Sequence, residues 1–220
     1  MDIGIVEIEG SYDLFTVYFY RSSIETLVTC EPSKIVGWID DIERIHRGRL
    51  HRLIVGLDVE WRPSFSRDQN PVATLQLAVG DRCLIVQLLY CSAIPVELFR
   101  FLANASYTFV GVGIGADLEK LVEDYNLAVT NGVELRNLAA DEANDRSLRN
   151  VGLKDLARRY LGAEMVKPRR VTMGRWDQEW LSTEQIRYAC VDAFVCFEVG
   201  RILDASVHGS NGPSRAYIRV

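Results

Sequence analysis

The chain has 220 residues, with 25 Lys+Arg against 30 Asp+Glu and a formal net charge of −5. Its 48% hydrophobic and 25% charged residues exclude overall disorder, and the length suits one domain, taken as residues 1–206 with a loose tail at 207–220. No uncharged apolar run approaches the ~20 residues of a membrane span, so no membrane partner is expected, and MDIGIVEIEG lacks the basic and apolar regions of a secretory leader.

Residues 12–20 and 25–30 are rich in aromatic and β-branched side chains and predict strands. Ser33 is a candidate cap for a helix to about Arg47, with Ile35, Trp38, Ile39 and Ile42 on one face. His46 and His51 lie in a basic stretch read as solvated surface. An apolar strand follows at 53–61, then two more at 72–79 and 83–88 around the turn Gly80-Asp81. Helix is expected at 95–104, strand at 107–112, and helices at 115–125, 152–162 and 182–204. Three successive strands, then alternating helix and strand, predict a mixed α/β sheet flanked by helices. The five cysteines (Cys30, Cys83, Cys91, Cys190, Cys196) include no CxxC pair, and the histidines show no zinc spacing. Reduced core thiols in a cytoplasmic protein are the expectation, with the nucleus as a second location.

Three segments carry chemistry. In LIVGLDVEW, Asp58 and Glu60 are two apart on a buried-type strand and project from one face. Two like charges there are costly unless a cation neutralises them; the alternative is a strand end reaching solvent. In YTFVGVGIGADLEKL, a strand enters a glycine-rich turn and a helix with Asp117 in its first turn. Gly111-x-Gly113-x-x-Ala116, with Glu134 downstream, also fits a dinucleotide-binding fingerprint. Asp117 would then repel the pyrophosphate at the helix N-terminus. In STEQIRYACVDAF, Ser182 and Gln185 form a capping-box pattern. Ile186, Cys190, Ala193, Phe194 and Phe197 make one stripe, Tyr188, Asp192, Val195 and Val199 an opposite one, so the helix is buried on two sides. Tyr188 and Asp192 lie one turn apart; a plain core hydrogen bond is the alternative there.

Asp58, Glu60, Asp117 and Asp192 are acids in or beside apolar elements, with no Lys or Arg at an obvious pairing position within their motifs. Four carboxylates without His or Cys suit Mg²⁺ or Mn²⁺, and two such ions can serve phosphodiester hydrolysis.

These segments resemble the Exo I, Exo II and Exo III motifs of the DEDD-type 3′–5′ exonucleases. Tyr188, four residues before Asp192, resembles the DEDDy subgroup; the position that is His in the DEDDh subgroup is Arg187. PVATLQLAVGDRCLIVQL, TFVGVGIGADLEKL, VGLKDLARRYLG and WLSTEQIRYACVDAFVCFEVGRIL are similar to the small plant Werner-exonuclease-like branch, which includes the RISC-interacting clearing exoribonucleases. The resemblance covers about residues 30–204. It implies a ribonuclease-H-like, DnaQ-type sheet of about five strands. It further implies a 3′–5′ exoribonuclease acting on single-stranded RNA, with a Werner-like DNA exonuclease or a non-catalytic nucleic-acid or Argonaute-binding module as alternatives. Asp58, Glu60, Asp117 and Asp192 would hold two ions, with Tyr188 orienting the attacking water. Argonaute complexes are the implied partner and a closed homo-oligomeric ring the implied assembly.

From Arg146 to Arg175 nine basic residues face two acidic ones. This arm, with Lys167, Arg169 and Arg170, is a candidate nucleic-acid contact, or a solvated loop. Trp61 is a candidate base-stacking residue, whereas Trp38, Trp176 and Trp180 are expected to pack.

Overall fold

A computed structural model describes residues 3–8, 12–64, 66, 68–205 and 207. The tail expected at 207–220 lies outside the described residues apart from Val207. The strands are β1 (Ile3–Glu7), β2 (Leu14–Phe19), β3 (Ser22–Thr29), β4 (Leu53–Glu60), β5 (Thr74–Val79), β6 (Arg82–Gln87), β7 (Tyr107–Gly111) and β8 (Gly132–Glu134). They form one sheet in the order β1-β2-β3-β6-β5-β4-β7-β8. The helices are α1 (Pro32–Ile45), α2 (Val96–Leu102), α3 (Ile114–Tyr125), α4 (Leu135–Glu142), α5 (Leu153–Leu156), α6 (Arg169–Thr172) and α7 (Thr183–Ile202).

The expected meander is β4-β5-β6, antiparallel throughout, and β7 and β8 extend it in parallel beside β4. Those five strands are the α/β sheet that the resemblance implies. The sheet has three more, because β3 runs parallel to β6 and carries the β1-β2-β3 meander at that edge. Other differences are local. Glu31, not Ser33, precedes the first turn of α1, since Pro32 has no N–H to leave unpaired there. The helix expected at 152–162 is α5 followed by a wider π turn at Ala157–Leu161, ending at left-handed Gly162. His46 is buried rather than solvated, its Nδ1 accepting from Arg49 Nε at 3.2 Å. Trp38 and Trp176 pack as expected, but Trp180 is 75% exposed.

α7 organises the core. Ser182 Oγ accepts the N–H of Gln185, and Gln185 Oε1 accepts that of Ser182, closing the expected capping box. The helix buries Cys190, Ala193 and Phe194 on one stripe and Asp192, Val195 and Val199 on the other. It can lie this close to the sheet because of two glycines. A Cβ on Gly56 would stand 2.0 Å from the carbonyl oxygen of Ala193, and one on Gly200 would stand 2.9 Å from Val110 Cγ2. Gly56, Asp58 and Glu60 alternate onto the same face of β4, so the acids share the face against which α7 packs.

Gly56→Val should therefore destabilise the fold by about 3 kcal/mol, because backbone rather than a flexible side chain must give way. Thermal unfolding should show Tm lowered by roughly 6–12 °C. An unchanged Tm would mean that the helix does not depend on this contact.

Candidate metal centre

β4 supplies Asp58 and Glu60, and α7 supplies Asp192. One carboxylate oxygen from each lies within 4.8 Å of the other two. Asp58 Oδ2 is sealed from solvent and has no hydrogen-bond partner among the described residues. A buried anionic oxygen without a partner costs several kcal/mol, so the site calls for a proton or a cation. Burial, then the Asp192 charge, pushes both Asp58 and Glu60 well above the usual carboxylate range. Burial raises Asp192 as well, against the opposing pull of Lys167. An all-oxygen, acidic donor set of this kind fits a hard divalent cation such as Mg²⁺ or Mn²⁺.

Asp117 comes from the first turn of α3, entered through left-handed Gly113. It stands outside the trio, yet its charge raises Asp58 and Glu60. Burial and then Glu134 push Asp117 itself up to about 7. Glu134 is not available as a ribose ligand: it accepts the N–H of Gly113 at 2.7 Å and pairs with Arg136 at 3.0 Å. It fixes the glycine turn that presents Asp117, which disposes of the dinucleotide reading.

Tyr188 lies one turn before Asp192 on α7, and the proximity of its hydroxyl favours the ionised Asp192 carboxyl. Its ring packs 6.0 Å from that of Trp176. Burial, then the charges of Asp192, Glu60 and Asp58, drives its pKa far above the ordinary phenol value, so it remains a hydrogen-bond donor at neutral pH.

The candidate nucleic-acid residues divide. Lys167 enters the metal centre, its Nζ 2.5 Å from Asp192 Oδ2 and 5.3 Å from the Tyr188 ring centroid. The acids are thus not free of basic partners, as their motifs alone suggest; this one arrives from a loop 25 residues before Asp192. Arg170 pairs with Glu184 at 2.5 Å, whereas Arg169 is exposed. Elsewhere on the arm Arg149, Arg158 and Arg175 pair with Asp141, Glu164 and Asp177, so much of its positive charge is locally compensated. Trp61 is half-buried, with Lys120 Nζ 5.5 Å from its ring centroid. Exposed Trp180, expected to pack, is the aromatic side chain left open near the start of α7.

The 3′–5′ exonuclease family profile matches residues 40–208. An Arabidopsis thaliana protein described as a 3′-5′ exonuclease is 33% identical over 151 residues, covering 68% of this chain. That match takes in 52% of the relative, so the chain spans about half its length. The Arabidopsis RISC-interacting clearing 3′-5′ exoribonuclease 1 is 25% identical over 146 residues, 64% of this chain and 72% of that protein. In fold, the chain is similar to the EXO domain of Aedes aegypti Nibbler, with a TM-score of 0.69 at 18% identity, covering 87% of this chain and 93% of that one.

The raised Asp117 carboxyl has a signed consequence. Its pKa is about 7 in the fold against 3.8 unfolded, so between those values the folded chain binds more protons. The stability that Asp117 lends is therefore full below about pH 4 and lost as pH rises through 7. In chelator, urea unfolding of wild type relative to Asp117→Asn should show that loss. Saturating Mn²⁺ should shrink it, and a difference independent of pH would contradict the assignment.

Proposed function

Because the chain belongs to the 3′–5′ exonuclease family, we propose that it shortens single-stranded RNA from the 3′ end, releasing nucleoside 5′-monophosphates. The observation carrying this reading is the trio of half-buried Asp58 and Glu60 with buried Asp192, in which one sealed Asp58 oxygen has no hydrogen-bond partner among the described residues. These three residues and Asp117 would hold two Mg²⁺ or Mn²⁺ ions. Such ions, when bound, lower the pKa of a water and stabilise the charge that develops on the phosphate and leaving oxygen. Tyr188, held as a phenol, orients the attacking water by hydrogen bond rather than taking its proton. Burial of Asp192 and of the Asp58 Oδ2 atom keeps bulk water from competing for those oxygens.

Similarity to the Arabidopsis RISC-interacting exoribonuclease supports RNA over DNA, and makes RNA fragments held by Argonaute complexes the biological substrate in this reading. Cytoplasmic residence and assembly into a closed homo-oligomer belong to the same proposal.

The test uses 5′-labelled single-stranded RNA and DNA of one sequence, with Mg²⁺, Mn²⁺ or chelator. A ladder shortening from the 3′ end of RNA, absent in chelator and in folded Asp58→Ala, is the expected result. A ladder on DNA alone would keep the site and change the substrate. No ladder from folded, metal-loaded protein would favour a binding module. Tyr188→Phe should slow cleavage by about 10²-fold with little change in KM.

A further inference from the structure

We propose that Lys167 is an exchangeable cation of the metal centre: its ammonium occupies Asp192 in the metal-free chain and yields that carboxylate to a divalent ion. The inference rests on the metal-dependent reading of the site. Lys167 Nζ lies 2.5 Å from Asp192 Oδ2, and its charge favours the ionised forms of Asp58 and Glu60 as well. One monovalent cation thus serves three carboxylates that lie within 4.8 Å of each other. A divalent ion binding Asp192 would be drawn by the same negative charge and would repel the ammonium beside it, so ammonium and ion compete electrostatically for that carboxylate.

The loop that carries Lys167 is built to deliver it. The backbone N–H of Glu164 is bonded to the hydroxyl of Tyr20, at the tip of the β2–β3 hairpin. Met165 and Val171 are buried on either side, and Pro168 leads into α6. The backbone is therefore anchored while the lysine side chain stays one-third exposed, against 5% for that of Asp192. That difference leaves part of the lysine side chain at the surface, whereas the carboxylate is enclosed. A long, flexible stem suits a cation that has to leave, and its strong hydration offsets the lost ion pair. The ammonium also lies over the ring of Tyr188, so its departure opens the side of the centre from which Tyr188 acts.

The sign of the effect separates exchange from simple anchoring. If Lys167 only anchored its loop, losing it would weaken the centre. If it competes, losing it strengthens metal binding while exposing the metal-free protein to unrelieved carboxylate repulsion.

The experiment compares wild type, Lys167→Met and Lys167→Arg by Mn²⁺ titration, read by electron paramagnetic resonance of the free ion, and by thermal unfolding with and without Mn²⁺. Lys167→Met should lower Tm in chelator by about 3–6 °C, yet bind Mn²⁺ roughly tenfold more tightly. Its gain in Tm on adding Mn²⁺ should exceed that of wild type. Lys167→Arg, which keeps the charge, should stay near wild type in affinity. Unchanged or weaker Mn²⁺ binding by folded Lys167→Met would overturn the exchange. Failure of wild-type protein to bind Mn²⁺ at all would instead overturn the metal centre on which the exchange depends.

Discussion

Mutual repulsion of three carboxylates inside the fold is the constraint that the surrounding structure has to meet. Asp58, Glu60 and Asp192 offer oxygens within 4.8 Å of one another, and Asp58 Oδ2 is sealed from solvent without a hydrogen-bond partner among the described residues. Nothing in that arrangement is self-stabilising, so packing must impose it. The imposing contact is α7 against β4, where the absence of a side chain on Gly56 lets the Ala193 carbonyl come within 2.0 Å of where a Cβ would stand. α7 then has apolar stripes on both sides of its axis, which fix its rotation as well as its distance. Rotation decides whether Asp192 meets β4 or solvent, and the capping box at Ser182 sets where the helix begins. The energy that holds the acids together thus resides in apolar neighbours that do no chemistry themselves.

Much of this was legible in the sequence wherever the signal was local. The two-residue spacing of Asp58 and Glu60 gives a shared face on any strand, and the four-residue spacing of Tyr188 and Asp192 gives a shared face on any helix. The capping box and the two stripes of α7 are likewise periodic signals, and they survive in the structure. Short or composite elements were not legible. β8 has three residues and α4 eight, too few to establish a period. The wide turn after α5 repeats no residue pattern that separates it from ordinary helix. β1 lies in an acidic N-terminal stretch whose strand character depends on pairing with β2.

Long-range pairings were also invisible. Glu134 has the spacing of a ribose-binding acid, but its oxygens are committed to Gly113 and Arg136. Lys167 belongs by composition to a basic arm, and only the folded chain carries it onto Asp192. Four of its neighbours on that arm, Arg149, Arg158, Arg170 and Arg175, meet acids, so a charge count over the segment overstates the field that it presents. Trp180 shows the opposite failure. A large indole suggests packing, yet Trp180 is exposed and the connection before α7 is held by its backbone, with Gln87 Nε2 donating to the Glu179 carbonyl at 2.8 Å.

The N-terminal meander links these observations. β1–β3 extend the sheet beyond the five strands that form the α/β unit, and Phe19 on β2 packs edge-on to Phe194 of α7 at 6.4 Å. Tyr20, in the left-handed region at φ 55°, closes the hairpin and bonds the loop leading to Lys167. A segment outside the family match therefore buttresses the helix that bears Asp192 and positions the loop whose cation meets it. Protons, the Lys167 ammonium and a divalent ion are three means of relieving the same repulsion, and each relief by one lowers the need for the others. Metal affinity at this centre is consequently a property of the hairpin and its loop as much as of the carboxylates, since they set how firmly the competing ammonium is held.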